Sequence, residues 1–387
     1  MEKEGKYIYG VINSNTSFRL FTPVDSKHLT EFTPECSEAQ TKTNGVYPVR
    51  NSIENSKDSK ISNGVYTVPC REFGAVVCDS VIVDCRRLPK ETLAKQLLTH
   101  QKVIEKIMGS GVTVIPVKLG TYAFDDEEVK LILDKGYNLI KEIADKINEK
   151  IEIDLVASWA DFKLVLKQAG EDKEIKEFKE KLLSSGRKIT ADDQMKAGYM
   201  LKKAMDRKNN ECVDKIQERL EDISEGAKRH EVMDDKMIAN CAFLMDKAKK
   251  DEFYKRIECL DGEFGGEINF KCVGPLPAYS FYTLEIKRMR FNDIDSARKK
   301  LGILNEQVSE DDIKKAYQRQ AIAFHPDKNQ GREEEANIEF GRIKDSYNVL
   351  LEYASACRQA SESRLAFSEA EFKKNELLIK VKDGKDW

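Results

Sequence analysis

Apolar positions along this chain repeat with two different periods, and the changes from one to the other mark out its elements. Tyr7-Ile8-Tyr9-Gly10-Val11-Ile12, Phe18-Arg19-Leu20-Phe21-Thr22 and Gly74-Ala75-Val76-Val77-Cys78-Asp79 read as strands. Over 90–108 the period lengthens, and Leu93, Leu97, His100, Ile104 and Ile107 fall on one helical face. A strand follows at Val112-Thr113-Val114-Ile115-Pro116-Val117. Asp125-Asp126-Glu127-Glu128 then puts acids at the start of a second long helix, where the dipole favours them. That helix carries Val129, Ile132, Leu139, Ile143 and Ile147 at helical spacing, and Ile151-Glu152-Ile153-Asp154-Leu155 alternates like a strand with one wet face. This order predicts an α+β fold with a ferredoxin-like N-terminal domain over 1–160, its helices covering one sheet face.

Residues 25–62 break the pattern, being rich in Ser, Thr, Asn, Lys and Glu, and read as a mobile insertion between strands. Asn44-Gly45-Val46-Tyr47-Pro48-Val49 is echoed by Asn63-Gly64-Val65-Tyr66-Thr67-Val68, but one echo is not a repeat architecture. From 161 to 230 the chain reads as charged helix with a break near Ser184-Ser185-Gly186. This helical middle leads to a second small α+β domain, the two together covering 161–287. Its strands are expected at 237–244 and 267–273, with a helix at 249–261 between them. An all-α domain is expected over 288–357, followed by a charged tail over 358–387 whose Leu377–Lys382 run suits an edge strand or a partner-binding segment.

The chain has 387 residues, enough for two or three cores, with 40% hydrophobic and 34% charged residues. A net charge of −3, both signs interspersed, gives no case for nucleic acid or membrane as partner. No apolar run approaches the roughly 20 residues of a membrane span. The start Met1-Glu2-Lys3-Glu4-Gly5-Lys6 is no signal peptide, so a cytoplasmic location is expected. Nine scattered cysteines without a CxxC fit a reducing compartment and argue against a zinc site. No Ser/His/Asp order, phosphate loop or HExxH occurs, so neither an enzyme nor a metal or other cofactor is expected. His100 reads as a hydrogen-bonded core residue, and His28 and His230 as solvated ones.

The strongest local signal is His325-Pro326-Asp327. Ser309 with Asp312 makes a capping box before a helix whose apolar stripe is Ile313, Ala316, Tyr317, Ala321 and Phe324. Ala336, Phe340, Ile343, Tyr347 and Leu350 mark a partner helix. Stacked on these stripes, the two helices would present the tripeptide at their common end, stiffened by the fixed φ of Pro326. Residues 291–357 thereby resemble a J domain, the module through which co-chaperones drive Hsp70 ATPases. That resemblance implies that His325, Pro326 and Asp327, with the basic face of Lys314, Lys315 and Arg319, bind an Hsp70-type chaperone. Gln318 and Ala323 stand where basic residues are usual, and Gln320 where Leu is usual.

Residues 6–287 resemble the gas vesicle synthesis protein L/F family (GvpL/GvpF). The resemblance rests on four stretches in order: Tyr7-Ile8-Tyr9-Gly10-Val11; His100 with Val103 and Glu105; Ile115-Pro116-Val117-Lys118-Leu119-Gly120-Thr121; and Gly274-Pro275-Leu276-Pro277-Ala278-Tyr279-Ser280-Phe281. It implies an accessory protein of gas-filled protein shells, needed for assembly rather than for a reaction, and associated with gas vesicles. Its partners would be shell subunits and other accessory proteins. The turn Gly274, Pro275, Leu276 and Pro277 is a rigid strand junction that could also contact a shell subunit. Two alternatives stay open: a minor shell component with a non-stimulating J domain, and a general Hsp70 co-chaperone. The second lacks its customary Gly/Phe-rich linker and zinc domain here.

Overall fold

The computed structural model describes residues 3–13, 64–328, 332–360 and 364–382. The expected strand at 18–22, the insertion at 25–62 and His28 lie outside them. Two compact units emerge. One joins the N-terminal strand to Ser62–Lys146 and Thr283–Lys382, and the other is Ile147–Tyr282.

In the first unit, β1 (Glu4–Asn13) pairs antiparallel with β3 (Phe73–Val81), which pairs with β2 (Tyr66–Cys70). Two short strands, β4 (Ile115–Pro116) and β5 (Tyr122–Ala123), line the other side of β1. β2 starts inside the second copy of the echoed hexapeptide, and Val65 and Val68 are core residues. Helices α1 (Lys90–Gly109), α2 (Asp126–Lys135) and α3 (Tyr137–Ile147) cover both faces of the sheet, not one as expected. β1 dictates this, because Tyr7, Ile8, Tyr9, Val11 and Ile12 are all apolar and both faces need cover. α1 brings His100 onto Tyr7 and Tyr9, while Val129, Ile132 and Ile140 of α2 and α3 face Ile8, Val11 and Ala75. The single long helix expected after 125 is two, divided at Gly136, whose N–H closes the α2 end on Ile132. Asp125 caps α2 by accepting from the Glu128 N–H at 2.9 Å.

The second unit runs β6 (Lys150–Trp159), α4 (Phe162–Ala169), α5 (Lys173–Ser184), α6 (Ala191–Leu220), β7 (Gly226–Arg229), β8 (Met237–Asp246), α7 (Lys250–Glu263), β9 (Ile268–Leu276) and the one-turn α8 (Tyr279–Tyr282). Its antiparallel sheet has the order β7-β8-β6-β9. This β-α-β-β-α-β course is the ferredoxin-like pattern, and the first sheet has the same strand order. The strand at 151–155 therefore does not close the N-terminal sheet. It lies at the centre of the second one, which moves the domain division from 160 to about 147. A central strand has no wet face, and Glu152 is 1% exposed. The expected helix to 230 stops at Leu220, with β7 beyond it. The break at 185–190 is present. Thr190 and Asp193 form a capping box, and Arg187 grips the Asp193 carboxylate with both nitrogens at 2.6 and 2.7 Å.

The chain returns to the first unit with β10 (Leu284–Arg288), whose Leu284 carbonyl accepts from Lys118 N–H at 2.8 Å. Then come α9 (Phe291–Lys300), β11 (Gln307–Val308), α10 (Glu310–Ala323), α11 (Glu333–Gln359), β12 (Leu365–Ala366), α12 (Glu369–Lys374) and β13 (Leu377–Val381). The residues beyond 357 are not merely a charged tail. β13 pairs with β10, β12 with β11, and Leu365, Phe367, Phe372 and Leu378 belong to the same core as Ile313, Ile343 and Leu350. Charged positions alternate with these buried ones, which hides the core in the composition.

Candidate functional site

The helical hairpin of α10 and α11 is built as its sequence dictates. Ser309 and Asp312 exchange their side-chain-to-backbone bonds at the start of α10, whose first-turn acids Glu310, Asp311 and Asp312 suit a helix N-terminus. Ile313 and Ala316 on α10 and Ala336, Ile343 and Leu350 on α11 are buried. Between them Tyr317 stacks on Tyr347, centroids 4.2 Å apart and planes 17° from parallel. Phe324, expected in the stripe, is 38% exposed, since α10 ends there and the chain turns away.

His325 follows at the open end. Its carbonyl accepts from Lys328 N–H at 3.0 Å, closing a tight 3-10 turn over Pro326–Lys328. Its Nδ1 accepts from Asp327 N–H at 3.3 Å, and its ring meets Phe340 of α11 edge-on at 5.8 Å. The Asp327 carboxylate is 86% exposed and lies 3.5 Å from the same Nδ1. The imidazole thus meets α11 and the Asp327 backbone, and both side chains are exposed. Lys314, Lys315 and Arg319 are exposed on α10, in one helical patch. Gln320 is half-buried, with its Nε2 over Gly302. The hairpin thus carries a positive helix face and a polar tip at its end.

The turn expected at 274–277 is not one: Gly274, Pro275 and Leu276 are the last residues of β9, and Leu276 pairs with Glu152. Gly274 and Pro275 are exposed, joined by a cis peptide, but Leu276 and Pro277 are buried. Two of the four residues named for shell contact are therefore core residues. Gly274 lies so close to β6 that a Cβ there would sit 3.0 Å from the Glu152 carbonyl oxygen. β9 is the last strand in the sheet order, so these residues lie on a sheet edge.

Behind it lies a polar cluster that the sequence reading passed over. The two Glu152 oxygens accept from Ser280 N–H at 2.8 Å and Ser280 Oγ at 2.7 Å, and His230 Nε2 is 3.0 Å from that Oγ. His230 is thus half-buried and bonded, not solvated. Burial first, and Asp154 second, push the Glu152 carboxyl up to about 8. The available signal was two carboxylates at i and i+2 in an otherwise apolar strand. In the first unit, His100 is buried as expected and 2.8 Å from Tyr7 Oη, and desolvation lowers its pKa to about 4. Among the described residues no His/Cys/Asp/Glu group could hold a metal ion, and no helix is long and apolar enough to cross a membrane.

Residues 5–283 match the family described as Gas vesicle synthesis protein GvpL/GvpF. The chain belongs to the GvpL/GvpF family. Residues 299–356 match the DnaJ domain, a span that runs from the end of α9 into α11. This GvpL/GvpF chain is similar to gas vesicle protein F of Dolichospermum flosaquae, 23% identical over 49% of this chain and 78% of that one. It is similar to gas vesicle protein F of Haloferax mediterranei at 19% identity, over 57% and 83% of the two chains. Its J segment is 49% identical to chaperone protein DnaJ of Borrelia garinii subsp. bavariensis over 49 residues, 13% of each chain. The fold matches crystal structures of GvpF from an Anabaena species, TM-score 0.54 at 17% identity over 73% and 99% of the chains, and from Microcystis aeruginosa, TM-score 0.51 over 72% and 99%.

Proposed function

We propose that this GvpL/GvpF protein assists assembly of a gas vesicle shell by bringing an Hsp70 to the shell subunits it binds. The observation that carries the reading is the His325-Pro326-Asp327 turn, exposed at His325 and Asp327, beside exposed Lys314, Lys315 and Arg319, in the same chain as a GvpL/GvpF match over residues 5–283. The basic patch supplies steering toward an acidic chaperone surface, and the oriented imidazole and exposed carboxylate supply the specific contact. Subunits that form a gas-filled shell must be strongly apolar on one side. Before polymerising they expose the kind of surface that Hsp70 handles. On this reading the protein catalyses no reaction of its own, acts in the cytoplasm at the growing vesicle, and needs no cofactor. Shell or accessory subunits would meet the β9 edge, including its exposed Gly274 and Pro275, where an extended segment can add a strand.

The test is replacement of the native gene by His325→Gln in cells that form gas vesicles. Fewer vesicles, with shell subunits moving to the insoluble fraction while the protein itself stays at its normal level, is the expected result. Normal vesicle yield would remove the chaperone half of the proposal.

A further inference from the structure

The first half of α6 stands out from the charged helices of the second unit by the spacing of its outward residues. Asp192, Met195, Tyr199 and Lys202 follow one another at intervals of 3, 4 and 3. At 100° per residue they fall in a sector about 80° wide, opposite the side that carries Asp193, Ala197 and Ala204. That opposite side is occupied: Asp193 and Ala204 are buried and Ala197 is half-buried. The outer side is not. Met195 and Tyr199 are each 70% exposed, Asp192 and Lys202 are exposed, and neither charge has an ion-pair partner among the described residues. The neighbouring Arg187 is committed to Asp193.

The intervals read the same in both directions, while the charge at one end is opposite to that at the other. A second copy of the same stripe laid antiparallel therefore complements the first. With a two-fold axis at the level of residue 197, each Met195 meets the partner's Tyr199 and each Asp192 meets the partner's Lys202. The parallel arrangement would set like charges against each other. We propose that this face is the isologous interface of a homodimer, α6 packing antiparallel on α6 of a second copy. Exposed Met against an aromatic ring is a favourable pair that one copy alone leaves unmade. The face spans only about three turns per copy, at the small end of specific interfaces, so half-dimerisation is expected at tens to hundreds of micromolar, roughly. Such a dimer forms where copies are concentrated, and it is independent of the chaperone reading.

Sedimentation equilibrium of the full chain between roughly 5 and 500 μM tests it, with circular dichroism to confirm that each variant is folded. The wild type is expected to pass from monomer to dimer. Lys202→Glu and Asp192→Lys each create two like-charge contacts and should raise the dissociation constant about tenfold. The double variant Asp192→Lys/Lys202→Glu restores opposite charges and should return it to within about threefold of wild type. Tyr199→Glu should leave only monomer. A wild type that stays monomeric throughout, a dimer indifferent to Tyr199→Glu, or a double variant no better than the singles would each overturn the proposal.

Discussion

Tyr317 and Tyr347 lie ring on ring, 4.2 Å between centroids, and this stack joins α10 to α11 midway along the hairpin whose end carries His325. Both rings are half-buried, so each combines apolar burial with ring stacking. Tyr347→Ala should cost about 2 kcal/mol of the stability of the first unit, and Tyr347→Phe less than about 1, because the phenol oxygen is not what packs. Denaturant unfolding of the two variants checks this. Equal losses would show that the hydroxyl, not the ring, is what matters.

The segment after α11 should be essential to the J segment. Truncation after Gln359 removes Leu365, Phe367, Phe372 and Leu378 from the shared core, and removes β13, which pairs with β10 and whose Ile379 amide and carbonyl both bond the Gln359 side chain. Losing several buried apolar side chains at about 2 kcal/mol or more each exceeds what a small domain has to spare. A fragment of residues 288–357 is expected to be unfolded by circular dichroism, whereas 283–382 keeps its helix content. A stably helical 288–357 fragment would contradict the assignment of the C-terminal residues to this core.

Acid and alkali should act on the two units in opposite directions. His100 is neutral in the fold, with a pKa of about 4 against 6.5 unfolded, so its contribution is complete above 6.5 and is lost as pH falls toward 4. The drop is on the order of 3 kcal/mol at full extent. Glu152 is the reverse case: raised to about 8 from 4.5, it is protonated in the fold, and its contribution is complete below 4.5 and lost as pH rises through 8. Melting temperature followed from pH 4 to 9 should fall at the acid end less steeply in His100→Gln, and at the alkaline end less steeply in Glu152→Gln. Profiles parallel to wild type in both variants would refute these assignments.

What could be read in the chain beforehand was whatever depends on neighbours in sequence. The capping box at Ser309, the two apolar stripes and the His325-Pro326-Asp327 turn are local patterns, and they appear where the spacing puts them. Pairing between distant strands is not local. Nothing in Ile151-Glu152-Ile153-Asp154-Leu155 says whether its partners are β1 or β8 and β9, so the strand was assigned to the wrong sheet. β2 was hidden because Asn63-Gly64 continues a polar stretch, and the core role of Phe367 and Phe372 because charged residues surround them. The site residues divide in the same way. Lys314, Lys315 and Arg319 are exposed as helical spacing requires, while Leu276 is buried at the end of β9 against β6, a distant pairing that the sequence does not disclose.

The measurement closest to the central claim is the steady-state ATPase rate of the cognate Hsp70 with the full-length chain added, as wild type and as His325→Gln. The imidazole is exposed, accepts from the Asp327 N–H two residues on and meets Phe340 edge-on, so the substitution should leave the melting temperature within a few degrees. Wild type is expected to stimulate hydrolysis several-fold and the variant not at all. Equal stimulation by both, or none by either, would contradict a working chaperone contact at this turn.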